Sequence, residues 1–162
     1  MHKIRKVDYV AYVYGYANVY SAYHEGGFAC VILHDGKIAH SFSKGLLGTN
    51  SYRAELQAIL YAAKWMPSGT SAMMHTACDY CINMLRNIIR PLSPDTKNME
   101  LINAYRKEAS SREVVFSKVR GKCKDPYNLM VHGMVKARIH EVRNAYGITD
   151  QECEKIHKLM RL

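Results

Sequence analysis

The chain has 162 residues, 48% of them hydrophobic, and a formal net charge of +9. That composition excludes extended disorder and suits one domain, residues 1–162, with a sizeable core. No apolar run reaches the roughly 18 residues that a membrane-spanning helix needs. The charge favours an acidic partner. Nucleic acid is the leading expectation, a protein partner or a homodimer the alternative, and membrane binding is not expected. The N-terminal Met1-His2-Lys3-Ile4-Arg5-Lys6 is basic, but no signal-peptide apolar region follows it. Five irregularly spaced cysteines do not form a disulfide framework, so a reducing cytoplasm is expected.

Residues 7–17 alternate small and aromatic residues, with Val7, Tyr9, Ala11, Val13 and Gly15 against Tyr12, Tyr14 and Tyr16. A period of two in tyrosine and valine predicts a strand. A connection runs from Tyr20 to Glu25. Gly26-Gly27 opens a second strand through Leu33. Asp35-Gly36 is a type I′ hairpin signal, and residues 37–44 return as a third strand. The period then changes. Ala54, Leu56, Ile59, Leu60, Ala63 and Trp65 predict a buried helix over 51–65, ended by Pro67-Ser68-Gly69. Residues 71–76 read as a short buried strand. Helices follow at 79–89 and 96–110, then a strand at 113–119 and a basic loop at 120–125. Pro126 suits the first turn of a long helix reaching Tyr146. Thr149-Asp150-Gln151-Glu152 is a capping box that starts a last helix over about 149–161. Three antiparallel strands followed by β-α units predict an α/β fold: a five-stranded mixed sheet with helices on both faces.

This order resembles that of type 1 ribonucleases H, and local motifs agree with it in sequence. Gly26-Gly27-Phe28-Ala29 is similar to the glycine pair that opens the family's second strand. Ser51-Tyr52-Arg53-Ala54-Glu55-Leu56 resembles its first catalytic helix. Lys97-Asn98 with Leu101 resembles the helix before strand five. Val119-Arg120-Gly121-Lys122 resembles its Val-Lys-Gly-His, followed by Asn128 and a helix. The resemblance covers about residues 7–140. The short connection between Ile89 and Asp95 leaves no room for the extra helix and basic handle of some members.

The resemblance implies a site for two divalent ions, usually magnesium, about 3.5–4 Å apart. Hard ions of this kind take oxygen ligands, so the family uses four carboxylates. Laid over that tetrad, this chain carries Tyr16, Glu55, Ala77 and His132, leaving Glu55 as the surviving acid. Tyrosine and alanine cannot bridge two magnesium ions. Histidine suits zinc or manganese better. Asp79 is an outside candidate if strand four runs longer than expected. The resemblance therefore implies a degenerate, inactive domain that binds an RNA/DNA hybrid or duplex RNA. No cofactor is expected; magnesium or manganese enters only if a non-standard site of Glu55, Asp79 and His132 is active. Expected nucleic-acid contacts are Asn18, Asn50, Ser51, Arg53, Thr76, Arg120, Lys122, Lys124 and Asn128. Lys122 stands where the family has a histidine linked to product release. The alternative is a protein-interaction or assembly module that keeps only the fold.

Two further features stand outside this overlay. Cys78-x-x-Cys81 falls at a strand-to-helix turn. It reads as a pair of core or turn cysteines, with a redox or metal role as the other reading. Twelve tyrosines, five of them between Tyr9 and Tyr20, either stack on bases or fill strand faces and a protein interface.

Overall fold

The computed structural model describes residues 6–120 and 123–149. Within them the chain forms β1 (Tyr9–Ala17), β2 (Gly26–His34), β3 (Lys37–Leu46), α1 (Ser51–Trp65), β4 (Ser71–Thr76), α2 (Asp79–Leu85), α3 (Met99–Ala109), β5 (Glu113–Lys118) and α4 (Pro126–Tyr146). The five strands form one sheet in the order β3-β2-β1-β4-β5. β1–β2 and β2–β3 pair antiparallel, while β1–β4 and β4–β5 pair parallel. The mixed α/β sheet expected from the sequence is thus present.

The alternation in β1 sends its residues to two different cores. Ala11 and Val13 join Cys30, Ile32 and Met74 beneath Leu56, Ile59 and Ala62 of α1. Tyr12 joins Ala29, Val31 and Leu33 beneath Val131 and Val135 of α4. β2 is buried along both faces, which explains its near-continuous apolar run. Asp35 and Gly36 both take positive φ (50° and 76°), as a type I′ turn requires.

Several boundaries differ from expectation: β1 starts at Tyr9 rather than Val7, and β3 runs to Leu46 rather than Lys44. α2 stops at Leu85 rather than Ile89, because the Asn87 side chain accepts the Ile89 amide at 3.2 Å and competes with the helix ladder. α3 starts at Met99 rather than Thr96. There Thr96 turns back on Ser93 and Asn98 sits at φ +59°, outside the helical region. β5 ends at Lys118, one residue early. The expected helix over 149–161 lies outside the described residues, as does Lys122.

Candidate functional site

The parallel ladder between β1 and β4 ends at Tyr12 opposite His75. Beyond it, β1 stays paired with β2 alone while β4 leads into α2. α1 covers one face of this split and α4 the other. In open α/β sheets, such a switch point beyond the strand ends is where ligands bind.

Glu55 fills the split. It stands in the second turn of α1, whose start is fixed by Asn50: the Asn50 side chain accepts the Arg53 amide at 2.9 Å. Ser51 adds a tie, its Oγ accepting the Ala17 amide at 3.1 Å. α1 lies so close to β1 that a Cβ on Gly15 would collide with the backbone of Ala54 and Glu55. That approach lets Glu55 Oε2 accept the Gly15 amide at 2.5 Å. Its other oxygen, Oε1, accepts the Thr76 hydroxyl at 2.7 Å. One carboxyl thus bridges two strands where their own ladder has stopped. Glu55 is 4% exposed. Burial pushes its pKa up to about 8 against the opposing hydrogen bonds from Thr76 and Gly15.

On the α4 side, Tyr14 is the β1 side chain that meets His132. Their rings stack with centroids 3.6 Å apart and planes 15° from parallel. Burial raises the Tyr14 pKa, and the Glu55 charge adds to that effect. Burial lowers the His132 pKa. Tyr16 lies further along the strand and is 45% exposed. Tyr14, Tyr16, His132, Gly133 and Lys136 border a cleft of about 470 Å³. Counting back from the glycine pair pointed to Tyr16; in space the residues against Glu55 and His132 are Gly15 and Tyr14. A glycine in mid-strand marks a close backbone approach, and the structure shows that α1 makes that approach at Gly15.

The other expected residues lie as follows. Ala77 is exposed directly after β4. Asp79 begins α2 and forms an ion pair with Lys118. Arg53 pairs with Glu100 and donates to Asn98 Oδ1 at 3.3 Å. Asn18 donates to the buried Glu25 at 3.1 Å, and Asn128 is buried in the first turn of α4. Arg120 and Lys124 are exposed on the loop before α4. A second cleft, about 540 Å³, is bordered by Tyr12, His75, Lys118, Arg120 and Asp125. In it Tyr12 stacks on His75 at 4.6 Å and donates to Asp125 at 3.1 Å.

This donor set does not fit a pair of magnesium ions. Glu55 is the one acid among Tyr14, Glu55, Ala77 and His132, and both its oxygens are engaged within the protein. Among the described residues, no group of three His, Cys, Asp or Glu side chains is arranged to hold a metal ion.

The cysteine pair sits on the same segment. Thr76 Oγ1 accepts the Cys78 amide at 3.1 Å while donating to Glu55. Cys78 caps α2, its Sγ accepting the Cys81 amide at 3.4 Å. The hydrogen bond from the Cys81 thiol lowers the Cys78 pKa to about 7.

Comparison with solved structures defines the architecture. The N-terminal ribonuclease H domain of Rv2228c from Mycobacterium tuberculosis, solved as a fusion with maltose-binding protein, superposes with a TM-score of 0.70. It is 10% identical, over 87% of this chain and 99% of that one. LC11-RNase H1 in complex with an RNA/DNA hybrid gives 0.67 at 15% identity, over 83% and 98%. The foamy viral protease-reverse transcriptase in complex with dsDNA gives 0.64 at 18%, over 87% and 99%. No protein-family model matches the sequence, and no curated protein matches it. The chain has the ribonuclease H fold.

Proposed function

We propose that this chain binds nucleic acid, an RNA/DNA hybrid or duplex RNA, without hydrolysing it. The observation that carries this reading is the state of Glu55. Buried, with a raised pKa and each oxygen accepting a hydrogen bond within the protein, it is a lone acid held as an internal bridge. Around it stand aromatic and neutral groups, Tyr14, His132 and Ala77, in place of further acids. A magnesium pair needs several carboxylates, so the hydrolytic water has nothing here to activate it.

The same replacement suits phosphate and base contact. Lys136 borders the first cleft and Arg120 the second, with Lys124 exposed on the same loop. Tyrosine rings line both clefts and offer faces for stacking. Two structures of this fold were solved with a hybrid and with dsDNA. The net charge of +9 adds a long-range attraction.

The test is a binding and cleavage assay run side by side on labelled hybrid, duplex RNA and duplex DNA, with Mg²⁺ and Mn²⁺ and a salt series. Salt-dependent binding without cleavage is expected. Metal-dependent cleavage that disappears in Glu55→Gln would overturn the inactive reading; absence of binding at low salt would overturn the binding one.

A second reading, a protein-interaction module, is favoured by Tyr16, Val19, Tyr20 and Tyr23. These apolar residues are each 40–45% exposed at the end of β1 and in its connection to β2. Sedimentation of the purified chain tests self-association, and Tyr20→Ser with Tyr23→Ser is expected to weaken it.

A further inference from the structure

Outside the split itself, the chain places two cysteines one turn apart at its rim. Cys78 and Cys81 are separated by one turn at the junction of β4 and α2, and both are free thiols. The Cys81 amide donates to Cys78 Sγ at 3.4 Å, which holds the Cys78 sulfur over the turn that carries Cys81. The pair is also asymmetric. Cys78 is half-buried and reachable from solvent, whereas Cys81 is fully buried behind it beneath α1, near the Tyr52 carbonyl.

A structural metal does not account for the pair. A zinc ion needs four ligands, and among the described residues no third His, Cys, Asp or Glu joins the two thiols in a metal-holding group. Cys30 is buried in the sheet, with Phe42 opposite it across β2–β3, and Cys123 belongs to the loop before α4. One half-buried and one buried cysteine a turn apart, on a segment held by Thr76, instead form a dithiol set up for closure.

We propose that Cys78 and Cys81 are a reversible redox site that exchanges with small-molecule disulfides of the glutathione type. Cys78 attacks one sulfur of the incoming disulfide, breaking its S–S bond and releasing one thiol. A mixed disulfide then joins Cys78 to the remaining half. Cys81 attacks Cys78 Sγ, forms the Cys78–Cys81 bond and releases the second thiol. The two protons lost by the cysteines end on the two released thiols. The protein dithiol is oxidised and the small disulfide is reduced.

The exchange is independent of nucleic-acid binding and is read on the full chain. The native protein is incubated with excess oxidised glutathione, alkylated, denatured and digested with trypsin. The peptide from Trp65 to Arg86 contains Cys78 and Cys81 and no other cysteine. That peptide is expected to carry an internal disulfide that blocks alkylation, and dithiothreitol is expected to restore both thiols. In Cys81→Ser, glutathione should remain on Cys78; in Cys78→Ser, Cys81 should stay unmodified in the native protein. Recovery of the wild-type peptide with both thiols alkylated would overturn the proposal. So would recovery of its cysteines only in bonds to Cys30, Cys123 or Cys153. The wild-type result decides the matter even if a serine variant fails to fold.

Discussion

The Gly15 amide donates to Glu55 Oε2 at 2.5 Å, across the point where β1 and β4 part. This bond turns an acid at a familiar helix position into a structural bridge. The carboxyl satisfies a β1 amide that has lost its β4 partner, and through Oε1 it receives Thr76 of β4. Leaving those donors unmet in a buried place costs about 1–3 kcal/mol each. The bridge therefore holds the mouth of the sheet, while burial of the carboxyl favours its neutral form over the pull of these two donors.

That preference gives a pH dependence with a definite sign. The pKa of Glu55 is raised from 4.5 to about 8 in the folded protein, chiefly by burial. The folded state then holds a proton that the unfolded state releases. The contribution to stability is full below pH 4.5 and is lost as pH rises toward 8. Between those limits a single proton contributes a slope of about 1.4 kcal/mol per pH unit at most. Glu55→Gln keeps a hydrogen-bonding amide but cannot titrate. Urea unfolding at a series of pH values is expected to show this slope in the parent chain and a flatter one in Glu55→Gln. Parallel slopes would show that Glu55 stays ionised when folded.

Gly15 and Gly133 make opposite predictions. A Cβ on Gly15 would strike the backbone of Ala54 and Glu55, which cannot move without shifting α1. Gly15→Ala is expected to cost about 3 kcal/mol or more. Gly133 lies inside α4, and a Cβ there meets nothing within 4 Å. Gly133→Ala is expected to gain up to about 1 kcal/mol from helix propensity. Denaturant midpoints of the two variants check both signs.

These two glycines also show where sequence reading succeeds and stops. Strand and helix order was legible because the period changes from two to 3.6 at Ser51 and because Asp35-Gly36 dictates its turn. Helix ends at Leu85 and Met99 were less legible, since single side chains of Asn87 and Ser93 take amides from the backbone. The site's register was harder still. Tyr12, Tyr14 and Tyr16 share one face of β1, so counting across the β1–β2 connection cannot separate them. Gly15 distinguishes them only once α1 is seen lying on it. The role of Glu55 as a bridge depends on Gly15 and Thr76 arriving from distant segments, which no local pattern encodes.

The stack of Tyr14 on His132 predicts a measurable coupling. Close aromatic pairs contribute about 0.5–1.5 kcal/mol beyond the area they bury. A double-mutant cycle of Tyr14→Leu and His132→Leu is expected to return about 1 kcal/mol in unfolding free energy. Burial lowers the His132 pKa from 6.5, so this group's stabilising contribution is present above 6.5 and is lost as pH falls through its folded value. NMR titration of the imidazole is expected to give a midpoint below 6.5 that moves upward in Tyr14→Ala. A coupling near zero would mean that the rings do not stack in solution.

Arg120 and Lys124 test where a nucleic acid would lie. Both are exposed on the loop leading into α4, and Arg120 also borders the cleft beside Tyr12 and His75. Neither contributes to the apolar cores, so their removal should leave the fold intact. Each phosphate neutralised by a cation contributes about 0.9 to the slope of log affinity against log salt on a duplex. Arg120→Gln with Lys124→Gln is therefore expected to reduce that slope by about 1–2 and to weaken binding uniformly across sequences. Lys64→Gln serves as the control, because Lys64 lies in the last turn of α1, remote from both clefts in the chain. Fluorescence anisotropy over a salt series measures both quantities. Equal losses for the double variant and the control would show that binding is diffuse charge attraction rather than a contact on the α4 loop.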